Sequence, residues 1–194
     1  MKKRVKLLTT IASLCLAVAL MAFGVYAATS SQLKVGSTVS FTTTNVAVKY
    51  TVEVTHSANV TVDETTAEKD EYTTKYSQTI SYGVEADDAN ADWNVGTYTF
   101  GNDATADDYV TYTITIENLG ENAFQVKATG IPAKGAAANN FTIDVTNDDN
   151  LGAEAVSISG KDSAVVVVTY KITDLTKDAT DATLALQFDV AKTF

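Results

Sequence analysis

The chain is poor in the residues that punctuate, cross-link and catalyse. A single proline, Pro132, stands among 194 residues, so no proline-rich linker divides the chain into domains. The one cysteine, Cys15, lies inside an apolar run near the start. Everything after it is built without disulfides or thiolate ligands. The one histidine is His56. A zinc site of ordinary composition needs several His or Cys ligands, so that class is disfavoured. No HExxH motif, GxSxG elbow, phosphate-cradling glycine loop or dinucleotide fingerprint occurs, and catalysis has no signature here. His56 reads as an ordinary surface residue at the end of a strand. No acid precedes Glu53, which argues against a type IV pilin leader. Leu14 before Cys15 argues against lipidation, which needs a small residue there.

What the chain does have begins with Met1-Lys2-Lys3-Arg4-Val5-Lys6, a compact positive segment. An apolar run follows from Leu7 to Tyr26 and ends in Val25-Tyr26-Ala27-Ala28. This is the three-part layout of a secretory signal, with the cut expected between Ala27 and Ala28. The run also approaches the ~20 residues that span a bilayer, so an uncleaved anchor stays open. The expected domain is 28–194. It holds 10 lysines, no arginine and all 24 acids, a net charge of −14 against −10 for the whole chain. Such a surface repels nucleic acid and anionic membrane. Membrane contact is expected only through the leader, should it stay attached. A cysteine-free exported domain suggests a bacterial surface protein.

Along the rest of the chain, apolar and polar residues alternate with period two, the mark of half-buried strands. Val48, Tyr50, Val52 and Val54 form one such set; Val110, Tyr112, Ile114 and Ile116 a second; Phe124, Val126 and Ala128 a third. Val166, Val168, Tyr170 and Ile172 follow, and Leu184, Leu186, Phe188 and Val190 close the series. Weaker strands are expected at 38–44, 78–84, 95–100, 141–146 and 154–159. Stretch 62–76 is charged and reads as a short helix or a loop. Three segments, 50–54, 112–117 and 170–174, share a tyrosine-led composition that needs no duplication to explain it. Links rich in Asn, Asp and Gly join the strands. The fold class is all-β: one antiparallel β-sandwich, Ig-like or jelly roll, preceded by a signal-peptide helix.

Candidate sites are few. Acids cluster in several loops, including Asp103, Asp107 and Asp108. Asp144, Asp148, Asp149 and Asn150 offer oxygen ligands, so calcium is the one cofactor considered, against the alternative of solvated acidic turns. The uncharged run Val165, Val166, Val167 and Val168 is either a covered central strand or an edge that pairs with another chain. Trp93, Tyr98 and Tyr109 are the test residues for a sugar-binding platform, supported if they share one exposed concave face. Asn59-Val60-Thr61 and Asn140-Phe141-Thr142 fit the N-glycosylation pattern, which arises readily by chance.

Two stretches carry a family likeness. LAVALMAFGVYAATSSQLKVGSTVSF at the leader's end resembles exported subunits of the camelysin and biofilm-matrix fibre group of Gram-positive bacteria. YVTYTITIENLGENAFQVKATGI resembles a strand–turn–strand hairpin of that group and of bacterial Ig-like repeats, with its turn at Asn118-Leu119-Gly120. After the expected cut stands Ala28-Thr29-Ser30-Ser31, where the group usually has Phe-Ser/Thr-Asp. Camelysins are labelled metallopeptidases, but no residue of this chain can receive that activity. The resemblance implies a sandwich outside the cell that assembles into fibres by strand donation; in that assembling version, the segment Thr29–Thr44 is the strand expected to insert into a neighbour's sheet. The expectation is therefore a non-enzymatic structural protein of the cell surface or extracellular matrix. Its partners would be copies of itself or other matrix proteins. The alternative is an adhesin or carbohydrate-binding module, with or without calcium.

Overall fold

Inward-facing side chains at every second position are what a strand needs to cover a core, and most of the thirteen strands among the described residues use them. The computed structural model describes residues 32–63, 68–83, 90–101, 103–138, 140–173 and 181–192. The leader, with Ala27 and Ala28, lies outside the described residues. The strands are β1 Leu33–Thr44, β2 Val48–His56, β3 Val60–Asp63, β4 Glu68–Asp70, β5 Thr73–Ile80 and β6 Ala91–Phe100. They continue as β7 Tyr109–Asn118, β8 Phe124–Thr129, β9 Ala137–Ala138 and β10 Phe141–Asn147. β11 Val156–Ile158, β12 Ser163–Ile172 and β13 Ala182–Ala191 complete the series. No helix occurs among the described residues.

The strands form two sheets. One has six strands in the order β11-β8-β13-β1-β6-β3, the other seven in the order β4-β5-β2-β7-β12-β10-β9. Aromatic contacts show the sheets packed face to face. Phe41 of β1 stacks on Tyr50 of β2 at 4.1 Å, and Phe100 of β6 meets Phe141 of β10 at 5.4 Å. Tyr98 of β6 meets Tyr112 of β7 edge-on at 5.9 Å. All six rings are buried. Each contributes on the order of 2 kcal/mol through burial alone. The expected β-sandwich is therefore what forms.

The three tyrosine-led segments share an environment. β2, β7 and β12 are adjacent in the middle of the seven-stranded sheet. Tyr50, Tyr112 and Tyr170 point into the same core. On the outer faces of β2 and β7, threonines pair in register, with Thr51 opposite Thr115 and Thr55 opposite Thr111. Lys49–Glu117 at 3.8 Å and Lys75–Glu53 at 4.0 Å cross this outer face. Being exposed, each contributes less than about 1 kcal/mol.

Several features depart from the sequence reading. The 62–76 stretch holds no helix among its described residues; it holds the end of β3, all of β4 and the start of β5. The Asn118-Leu119-Gly120 turn does not close a hairpin. β7 belongs to the seven-stranded sheet and β8 to the six-stranded one, so the chain crosses between layers there. One pairing is parallel: β1 runs alongside β13 from Val35↔Ala182 to Thr44↔Ala191. Parallel neighbours need a long connection, and the rest of the domain serves as that connection.

Candidate functional site

The crossover after β7 is tied by several hydrogen bonds. Asn118 is 1 % exposed. Its Nδ2 donates toward three carbonyls, Asn122 O at 3.0 Å, Ser159 O at 3.0 Å and Ile158 O at 3.2 Å. Its Oδ1 accepts from Gly120 N–H at 2.9 Å. One side chain thus joins its own turn to β11 and the turn after it. Leu119 N–H donates to Ala47 O at 3.1 Å, and Lys161 N–H to Gly120 O at 3.1 Å. Gly160 packs so close that a Cβ would overlap the Glu121 carbonyl.

Beside this knot lies a cleft of about 340 Å³. Its walls are the β1–β2 turn, with Asn45 and Val46, and the β7–β8 turn, with Glu121, Asn122 and Phe124. Tyr82 and Lys192 also line it. Asn45 holds φ at 54°, a left-handed conformation that asparagine tolerates better than most residues. Tyr82 is 74 % exposed.

The candidate residues named from sequence do not gather in one place. Asp144 is exposed on β10, opposite Thr169 of β12. The strand rise places it about 10 Å from Asn147, where the following turn begins. That turn is closed by Asn147, whose Oδ1 accepts from Leu151 N–H and whose Nδ2 donates to Leu151 O. Asp149 Oδ2 accepts from Val165 N–H at 3.1 Å. Asn150 holds φ at 52°. Asp149 and Asn150 therefore help to shape this turn. Among the described residues no group of three or more His, Cys, Asp or Glu is placed to hold a metal ion.

Val165, Val166, Val167 and Val168 lie on β12, which pairs with β7 on one side and β10 on the other. Both edges of this strand are used, so the run offers no backbone to another chain. Val166 and Val168 are wholly buried, and Val165 and Val167 are half-covered on the outer face. The covered central strand is the arrangement found.

The sugar-platform residues also separate. Tyr98 is buried in the core. Trp93 is half-buried, packed against Phe41 at 5.5 Å and Tyr76 at 5.8 Å. Tyr109 is half-buried on another sheet. No exposed concave face brings the three together. Asn140 is 3 % exposed, which closes its amide to glycosylation in the folded protein.

His56 is not a surface residue: it is 6 % exposed at the end of β2. Its Nδ1 donates to Ser57 O at 3.0 Å, since a carbonyl can only accept. Nε2 is buried with no hydrogen-bond partner, between the rings of Tyr72 and Tyr98. The alternation of β2 continues through His56, and that inward phase was the signal for its burial. Burial pushes the Tyr98 hydroxyl up to about 12 and holds Tyr50 and Tyr112 above their usual range too. These phenols stay protonated at neutral pH.

Asp108 is buried below the start of β7. Burial alone would raise its pKa. Hydrogen bonds from Thr105 N–H at 2.6 Å, from Ser57 and from Asn59 outweigh that and bring it below the usual carboxylate value. The ion caps a loop.

No protein-family model matches the chain, and no curated protein matches it. A solved structure with partial likeness is the Fcho1 Mu homology domain of Danio rerio with bound Eps15 peptide. It is 5 % identical over 84 % of this chain and 96 % of that one, with a TM-score of 0.18.

Proposed function

We propose that this protein is a secreted structural subunit of the cell surface or extracellular matrix, and that copies join by exchanging β1. The observation that carries this reading is the position of that strand. β1 is the first described strand, yet it sits in the middle of the six-stranded sheet, between β13 and β6. It alternates inward Leu33, Val35, Val39 and Phe41 with outward Lys34, Thr38 and Thr42. Its pairings are long, ten residues with β13 and nine with β6. Residues 45–47 connect it to β2, against which Phe41 stacks on Tyr50. An identical strand from a neighbour would make the same hydrogen bonds and fill the same pockets, which is the basis of strand addition. The leader supports export, and the resemblance in the leader and the β7–β8 region supports the matrix setting.

The register supplies a test. Thr38 and Ala185 are parallel partners, both exposed, and neighbouring strands at about 4.8 Å suit a disulfide. No cysteine lies between residues 16 and 194. The double variant Thr38→Cys, Ala185→Cys pins β1 to its own sheet when oxidised. Electron microscopy and size-exclusion chromatography should show fibres or oligomers for the reduced variant and only monomers for the oxidised one. Monomers in both states, and for the unaltered protein at high concentration, would end the assembly reading.

A further inference from the structure

The cleft beside the β7 crossover has the composition of a ligand site. Its size, about 340 Å³, lies in the range of small-molecule sites, which pair an apolar floor with a few placed polar groups. The floor here is Phe124 and Val46, both buried. The polar residues along it include Asn45, Asn122, Glu121 and Lys192.

The exposure of Tyr82 is the telling feature. Two large apolar side chains are exposed among the described residues, Tyr72 at 42 % and Tyr82 at 74 %. Tyr72 has structural employment: its hydroxyl donates to Glu71 at 2.7 Å and its ring meets His56 at 5.9 Å. Tyr82 makes no such contact among the described residues, and it lines the cleft. An aromatic face next to side-chain amides matches a sugar ring, whose C–H face is apolar and whose rim is hydroxyl. The cleft carries one acid and one base, and Glu121 is already paired with Lys161 at 3.2 Å. The chain as a whole is at −10, which repels anionic polymers. The walls are pinned by the Asn118 and Leu119 hydrogen bonds, so little ordering is needed on binding.

We propose that this cleft binds a neutral oligosaccharide, with Tyr82 as the stacking platform and Asn45 and Asn122 bonding its hydroxyls. The site differs from the Trp93, Tyr98 and Tyr109 set, and it does not depend on whether the chain assembles. The test is an NMR titration of the protein with cellotriose, chitotriose and maltotriose, each to about 10 mM, a range that reveals millimolar affinity. At least one sugar should shift the amides of Asn45, Tyr82, Asn122 and Lys192 in a saturable way. Tyr82→Ala should weaken that binding about tenfold, the scale of one aromatic contact, with an unchanged melting curve because the ring is exposed. Asn122→Ala should also weaken it. No shift with any of the three sugars overturns the proposal. So do shifts confined to another surface, or an affinity that Tyr82→Ala leaves intact.

Discussion

Replacing Asn118 with aspartate swaps an NH₂ group for an oxygen and changes little of the side chain's shape. The native amide faces three carbonyl oxygens at 3.0–3.2 Å and receives one N–H at 2.9 Å. Asn118→Ala removes two N–H donors and one acceptor. At about 1 kcal/mol net per hydrogen bond, the loss is about 3 kcal/mol. For a chain of this size that lowers Tm by about 10 °C. Asn118→Asp keeps the acceptor for Gly120 but turns a carboxylate toward the carbonyls. At pH 7 it should cost more than the alanine change, because a buried charge then lacks a donor. The sign with pH separates the two variants. Repulsion raises the folded pKa of the introduced carboxyl above the unfolded ~3.9. The penalty is then full above the folded value, shrinks as pH falls through it and disappears below the unfolded one. Once protonated, that carboxyl again donates to a carbonyl. Urea unfolding followed by circular dichroism, from pH 7 to pH 4, should show the aspartate gap to the native protein narrowing on acidification. The alanine gap should stay constant. An aspartate variant as stable as the native protein at pH 7 would refute the role assigned to the amide, and so would a gap that ignores pH.

Three further outcomes are expected. Gly130 holds φ at 83°, and a Cβ there would overlap the Ala185 carbonyl of β13; Gly130→Ala should destabilise by about 2 kcal/mol or more in the same urea assay. Asp108, with its lowered pKa, contributes stability above its unfolded pKa and loses it as pH falls through the folded value, so Asp108→Asn should melt lower at pH 7 and converge with the native protein in acid. Expression with the leader intact in a secreting bacterium should yield a protein whose N-terminal sequencing starts at Ala28, and a retained Met1 in the membrane fraction would show an anchor instead.

The central strands were legible because each repeats an apolar residue at every second place for seven residues or more. β2, β7, β12 and β13 announced themselves this way, and their boundaries moved by only a few residues. β3 and β4 were hidden because strands of four and three residues are too short for a period to show, and their polar members resemble loop. Turn chemistry marked Asn118-Leu119-Gly120 correctly as a break between strands. It could not say which sheet the next strand joins, since that depends on what Phe124 and Val126 pack against. The parallel β1–β13 pair links residues about 147 apart in sequence, beyond the reach of any local pattern. The cleft was invisible for a similar reason. Asn45, Tyr82, Asn122 and Lys192 come from four separate segments, and only the closed fold puts them around one opening.

The β1–β13 pairing also has a consequence in time. Synthesis delivers β1 before every other described strand and β13 after all of them, and these two form the middle of one sheet. β8 and its edge partner β11 join that sheet only through β13, so their pairing into it waits until Ala182–Ala191 has been made. Contacts this remote in sequence fold slowly. The six-stranded sheet therefore stays open while the strands between are being made, and it shuts in a late step, when β13 arrives to lie beside β1.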